Sequence, residues 1–173
     1  MNSYGVPRPR RAGETGGSGL PRRDRTSART GVRRAYFGSE PSQVAQIRSW
    51  CQHGARVPAN RTFALVIVVS ELATNALTHS ASGLAGGHIC VEMEALAVRL
   101  IRIAVTDDGP RPGQPIRFPT LPSEGDALTV CGRGLRLVER LSTTWGWEGE
   151  PGRPLTVWAH IDPYAPVPET AEA

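Results

Sequence analysis

Three polar side chains recur at four-residue spacing within a helix-patterned stretch from Phe63 to Ser80 that has one apolar side: Glu71, Asn75 and His79. On a helix they stack along one face over two turns. A carboxylate one turn from a carboxamide carries chemistry: the first orients a water or takes a proton, and the second offers an oxygen to a hard cation. An ordinary solvated helix face has the same appearance, so the stripe alone leaves both readings open. Two other groups attract the same question. Asp107-Asp108-Gly109-Pro110 cuts off a β-rich run abruptly, and Gly132-Arg133-Gly134-Leu135 opens a helical pattern. Glycines at a helix start let N–H groups approach an anion, with Arg133 adding charge, although a flexible joint explains two glycines equally well.

These groups need elements to hold them. Leu65, Val68, Val69, Leu72 and Ala76 lie away from the polar stripe and predict that the helix buries against a sheet. Upstream, the residues from Arg33 read as a short strand, with Ser39 placed to cap a helix over Pro41 to Gln52 that Gly54 stops. Downstream of a glycine-rich loop, His88 to Glu94 and Val98 to Thr106 alternate as strands and are close enough to pair antiparallel. Residues 107 to 131 hold five prolines and no periodicity, which fits a lid, a binding loop or a tolerated surface insertion. A helix through Arg140 follows, with Leu135, Leu137, Val138 and Leu141 as its apolar face, then strands over Thr143 to Glu148 and Leu155 to Ile161. The order predicts an α/β (α+β) two-layer sandwich, a mixed, mainly antiparallel sheet with helices packed on one face. No strand-helix alternation or GxGxxG supports a Rossmann sheet.

Composition removes several mechanisms. All 20 residues of the Lys+Arg class are arginine. A P-loop and a eukaryotic-type protein kinase each need a lysine, and so does Schiff-base chemistry. The formal charge of +4 divides unevenly: residues 1–34 hold nine arginines and two acids, whereas the rest holds eleven arginines and fourteen acids. The first 32 residues therefore read as a disordered Arg-rich arm, 33–162 as one domain, and 163–173 as an irregular proline-rich tail. Such an arm touches nucleic acid or an acidic partner through nonspecific charge, or simply stays solvated. Cys51, Cys90 and Cys131 form no metal or disulfide pattern, which points to a reducing cytoplasm. No membrane-spanning run or secretory leader is expected.

Taken together, ELATNALTH (71–79), VTDDGP (105–110), GRGLRLV (132–138) and GRPLTVWA (152–159) resemble the GHKL ATPase superfamily, which includes DNA gyrase, heat-shock chaperones, sensor histidine kinases and mismatch-repair ATPases. The stand-alone form is similar to the anti-sigma factor serine-protein kinases of actinomycetes, and the lysine-free composition suits a GC-rich source. The resemblance covers about Arg33 to Ile161 and implies a Bergerat-type ATP-binding fold with ATP and Mg²⁺ as ligands. It implies that Asn75 ligates the Mg²⁺ bridging the phosphates and that Glu71 acts as general base. Asp107 would accept from the adenine amino group, Gly109 would admit the purine, and Thr156 would support Asp107 through water. Gly132, Arg133, Gly134 and Leu135 would close over the phosphates, with His79 within reach of them. The resemblance also implies a sigma factor or an anti-sigma factor antagonist as partner, with phosphorylation of a serine, and a possible homodimer. A non-catalytic binding module and a detached histidine-kinase domain are the alternatives. One departure is plain: a DxGxG box would place glycine where Arg111 stands.

Overall fold

The computed structural model describes residues 31–116, 118–121 and 133–166. Five strands, β1 (Val32–Gly38), β2 (His88–Ala97), β3 (Leu100–Thr106), β4 (Thr144–Glu148) and β5 (Thr156–Ile161), form one sheet in the order β1-β2-β3-β5-β4. Three helices, α1 (Gln43–Gly54), α2 (Phe63–His79) and α3 (Arg133–Leu141), complete the fold. Every pairing in the sheet is antiparallel, so the expected mixed character is absent among the described residues. The chain reaches this without parallel crossovers because β2 and β3 form a hairpin, and β5 enters between β3 and β4.

Alternation on the strands decides which face is covered. Ala35, Phe37, Ile89, Val91, Met93, Ile101, Ile103, Val105, Ala159 and Ile161 point to the helices and are all buried. The opposite face carries Arg34 paired with Glu92, and Arg102 near Glu148. Such a sheet, apolar on one side and polar on the other, makes the two-layer sandwich the sequence predicts.

Helix α2 is the keystone of the helical layer. Its Val66-Ile67-Val68-Val69 run is β-branched and has weak intrinsic helix propensity. Burial overrides this: Leu65, Val68, Val69, Leu72, Ala73, Ala76 and Leu77 all sit in the core, between the sheet and the flanking α1 and α3. Each fully buried Val or Leu contributes roughly 1.5–3 kcal/mol, which dwarfs the propensity deficit. The helix stops at Ser80, which is extended and is a capping partner in its own right.

Several local expectations change. The cap of α1 is Ser42 rather than Ser39, because a turn closed by Gln43 N–H on Glu40 O occupies residues 40–43 first. Gly54 is the last residue of α1, and its role is steric: the Arg33 guanidinium and Met93 fill the space a Cβ needs. Strand β2 runs on to Ala97 through a bulge, so the hairpin turn is at Val98-Arg99 and not near Ala95. On α3, Leu135 and Val138 are buried, but Leu137 is 40% exposed. A helix lying on one side of α2 buries a stripe narrower than its apolar residues.

Candidate functional site

The end of α2 and the turn after β3 are joined by buried polar atoms. Ser80 and Ser82 are 3% and 0% exposed, unusual for hydroxyls, and both are fully engaged. Ser80 Oγ donates to Ala76 O at 2.7 Å and accepts from Ser82 N–H at 3.1 Å. Ser82 Oγ accepts from Asp108 N–H at 2.9 Å, and Ala81 N–H donates to Gly109 O at 2.8 Å. Ser80 and Pro110 also pair as an isolated bridge. On its outer side Asp108 accepts from His88 N–H at 2.7 Å, with the His88 ring 3.1 Å away. The turn that carries Asp107 is thus fixed to the helix that carries Glu71 and Asn75. Buried hydroxyls of this kind are retained only when paired, because an unpaired one costs about 1–3 kcal/mol.

Asp107 occupies the floor of a cavity of about 220 Å³ whose walls include His79, Gly109, Arg111, Ile116 and Arg153. Its Oδ1 accepts two backbone donors, Gly109 N–H at 2.7 Å and Leu155 N–H at 3.0 Å. Burial raises its pKa above the ordinary aspartate value, and the two N–H donors pull in the opposite direction without cancelling that effect. Gly109 has φ +88°, and a Cβ there would lie 3.3 Å from the Arg153 carbonyl carbon. Only glycine suits that backbone and that crowding. The direct support of Asp107 is therefore the Leu155 backbone. Thr156 Oγ1 is paired with Thr106 Oγ1 at 2.8 Å, across the β3–β5 register, rather than with the carboxylate.

The phosphate-side residues fall into two groups. Glu71 and Asn75 are half-buried on α2 and lie outside the walls of the Asp107 cavity, whereas His79, one turn further on, is exposed and lines it. Gly134, in the first turn of α3, approaches Glu71 so closely that a Cβ would be 2.5 Å from Glu71 Oε2. Arg133 is exposed beside it. The Leu135 side chain turns inward and is part of the hydrophobic core, where it helps to pack α3 onto α2. Gly132 lies outside the described residues.

Sequence reasoning missed the side chains that assemble these pieces. Ser80 and Ser82 look like loop residues, and no local pattern separates a buried paired hydroxyl from a solvated one. Arg111 lies against α2, with Nε donating to Ser80 O and Nη2 to Leu77 O, each at 2.9 Å. Its only sequence signal was its place where a glycine is expected. Arg153, which borders the cavity opposite, sits within the GRPL run that pointed to Thr156.

The donor set fits a magnesium nucleotide. Asn75 offers one neutral carboxamide oxygen, and no cluster of three or more His, Cys, Asp or Glu occurs among the described residues. Magnesium held mainly by phosphates needs only one or two protein oxygens and retains waters. Gly109 and Gly134 are both sites of close approach, to the Arg153-Pro154 backbone and to the Glu71 carboxylate respectively.

The described helices do not include one long and apolar enough to cross a membrane. Comparison with curated proteins finds no match. The model of the histidine kinase-like ATPase domain matches residues 37–157, from within β1 to within β5, and takes in α2, the Asp107 turn and α3. The match covers more than half of the sequence, and the chain belongs to the histidine kinase-like ATPase domain family.

Proposed function

We propose that the protein is an ATP-binding regulator that resembles an anti-sigma factor, transferring phosphate to a serine of an antagonist protein and holding a sigma factor inactive. The observation that carries the nucleotide reading is Asp107: a half-buried carboxylate, one oxygen spent on two backbone N–H groups, lining a cavity together with Arg111, Arg153 and the apolar Ile116. Its remaining oxygen is an acceptor suited to the adenine amino group, and Gly109 keeps the approach open. Asn75 would ligate Mg²⁺ together with the phosphates. Bound there, the ion neutralises phosphate charge during in-line transfer.

In this reading Glu71, one turn before Asn75, would take the proton of the attacking serine hydroxyl, while the bond from the γ-phosphorus to the bridging oxygen would break and ADP would leave. Transfer is tested with the Glu71→Ala protein. Retained Mg·ATP binding with lost transfer to a serine-bearing antagonist supports the kinase. Absence of transfer by the unsubstituted protein to any candidate antagonist sinks it. The second reading, a non-catalytic binding module, is favoured by one contact: the Gly134 backbone packs against the Glu71 carboxylate, where a serine would need to approach. Capture of partners from the native host by the full chain identifies the sigma factor or antagonist. Removal of residues 1–32 should leave ATP binding intact, since the motifs all lie beyond them.

A further inference from the structure

We propose that Arg111 is a positioning residue for the adenine end of the nucleotide, clamping the Asp107–Arg111 turn to the last turn of α2. This rests on the nucleotide reading above and names a residue that reading does not use. The guanidinium reaches back from the turn to two carbonyls of the α2 terminus, Leu77 O and Ser80 O. Arg111 Nη2 donates to Leu77 O beside the Gly83 backbone, which packs so tightly there that a Cβ at 83 would overlap that oxygen. A cation at the C-terminal end of a 17-residue helix also meets the negative end of its dipole.

The clamp is aimed at Asp107. Arg111 follows Gly109 and Pro110, and those residues are already tied to the helix exit through Ala81 N–H on Gly109 O and the Ser80–Pro110 bridge. Asp107 Oδ1 in turn holds Gly109 N–H. Arg111 adds a tie that reaches inside the helix, at Leu77 O, and that helix also carries Asn75. Glycine at 111 would leave the turn free, and a ligand would have to order it on binding. With arginine, the distance between the adenine acceptor and the phosphate end of the site is set before ligand arrives. Nε and Nη2 are engaged on carbonyls, and through them Arg111 acts on Asp107; a phosphate contact by the remaining N–H groups is the alternative that the test separates.

The test uses the full chain and calorimetry, at a temperature where each variant is fully folded, with Mg·ATP and adenosine as separate ligands. Arg111→Gly should weaken both by the same factor, about 10-fold, the size of one or two lost hydrogen bonds. Arg111→Lys keeps the charge but not the fork, and should recover part of the loss for both. A loss confined to Mg·ATP, with adenosine unchanged, overturns the inference in favour of a direct phosphate contact. Unchanged affinity for both ligands overturns it as well. Should Arg111→Gly fail to fold, Arg111→Lys decides by the same criterion: equal loss supports positioning, and loss for Mg·ATP alone refutes it. An unsubstituted protein that binds neither ligand defeats the nucleotide reading itself, a result distinct from either.

Discussion

The Asp107 turn is tied to the C-terminal end of α2 through buried polar atoms, whereas the exit of β5 is tied to its neighbours through exposed ones. The first junction holds Ser80, Asp107 and Arg111 around a cavity of about 220 Å³, with Ser82 fully buried nearby on the Asp108 N–H. The second forms a smaller cleft, about 120 Å³, between Arg61, Phe63, Arg140 and Asp162. Its contacts are an Arg99–Asp162 ion pair at 2.8 Å, with Arg99 62% exposed, and Arg61 and Arg99 laid over the Tyr164 ring. Both ends look polar in a list of contacts. They differ in dielectric and in the cost of a missing partner: water replaces a lost contact at the exposed end and cannot at the buried one. Geometry is therefore held at the Asp107 turn and merely decorated at the β5 exit.

The sharpest break of that comparison is Asn75→Ala. It should lower Mg·ATP affinity by about 100-fold, the worth of one contact to a charged group of about 3 kcal/mol, measured by calorimetry. Unchanged affinity would show that the phosphate end lies elsewhere. Next in size is Ser82→Ala, which strands the Asp108 N–H in the interior. A loss of roughly 1–3 kcal/mol in denaturant unfolding is expected, and a value near zero would equate the two ends.

The pH dependence separates them by sign. Burial raises Asp107, so the folded protein keeps that proton to higher pH than the unfolded chain does. Stability from this group is fullest below the ordinary aspartate pKa and falls as pH rises through the folded value. Adenine binding needs the ionised form, so nucleotide affinity should climb over the same window in which stability drops. Asp107→Asn should flatten both trends, and parallel curves for stability and affinity would contradict the assignment. Asp162 behaves oppositely. Arg99 lowers its pKa, so its contribution is present above the ordinary value and is lost as pH falls through the folded one. The smallest effect is expected from Arg99→Ala: no measurable change in unfolding midpoint at neutral pH, and none in Mg·ATP affinity. A clear destabilisation there would mean that the exposed end is held as firmly as the buried one.

Much of this architecture was legible beforehand, for reasons that differ by element. Helix α2 announced itself through a 3.6-residue period over 17 residues, and the β2–β3 hairpin through alternation on both sides of a short turn. The Asp107-Gly109 turn was legible because Asp-Asp-Gly-Pro cuts off a β-rich run abruptly, and the glycine there has φ +88°. Leu155 as the partner of Asp107 was not, since a backbone N–H leaves no mark on the residue that carries it. Leu137 was misassigned because the width of a helix's buried stripe depends on what it packs against. Arg111 was visible only as an oddity, and its two acceptors stand 31 and 34 residues earlier in the chain.

What the sequence determined by itself was the set of elements, the face each buries and the residue types able to do chemistry, because periodicity and hydrophobic burial act locally along the chain. Only the tertiary structure decided which polar groups are taken out of water and who satisfies them. That pairing is a contest between desolvation and hydrogen bonding across distant segments. It made Ser80, Ser82 and Arg111 the frame of the Asp107 site, and left Arg99 and Asp162 on the surface.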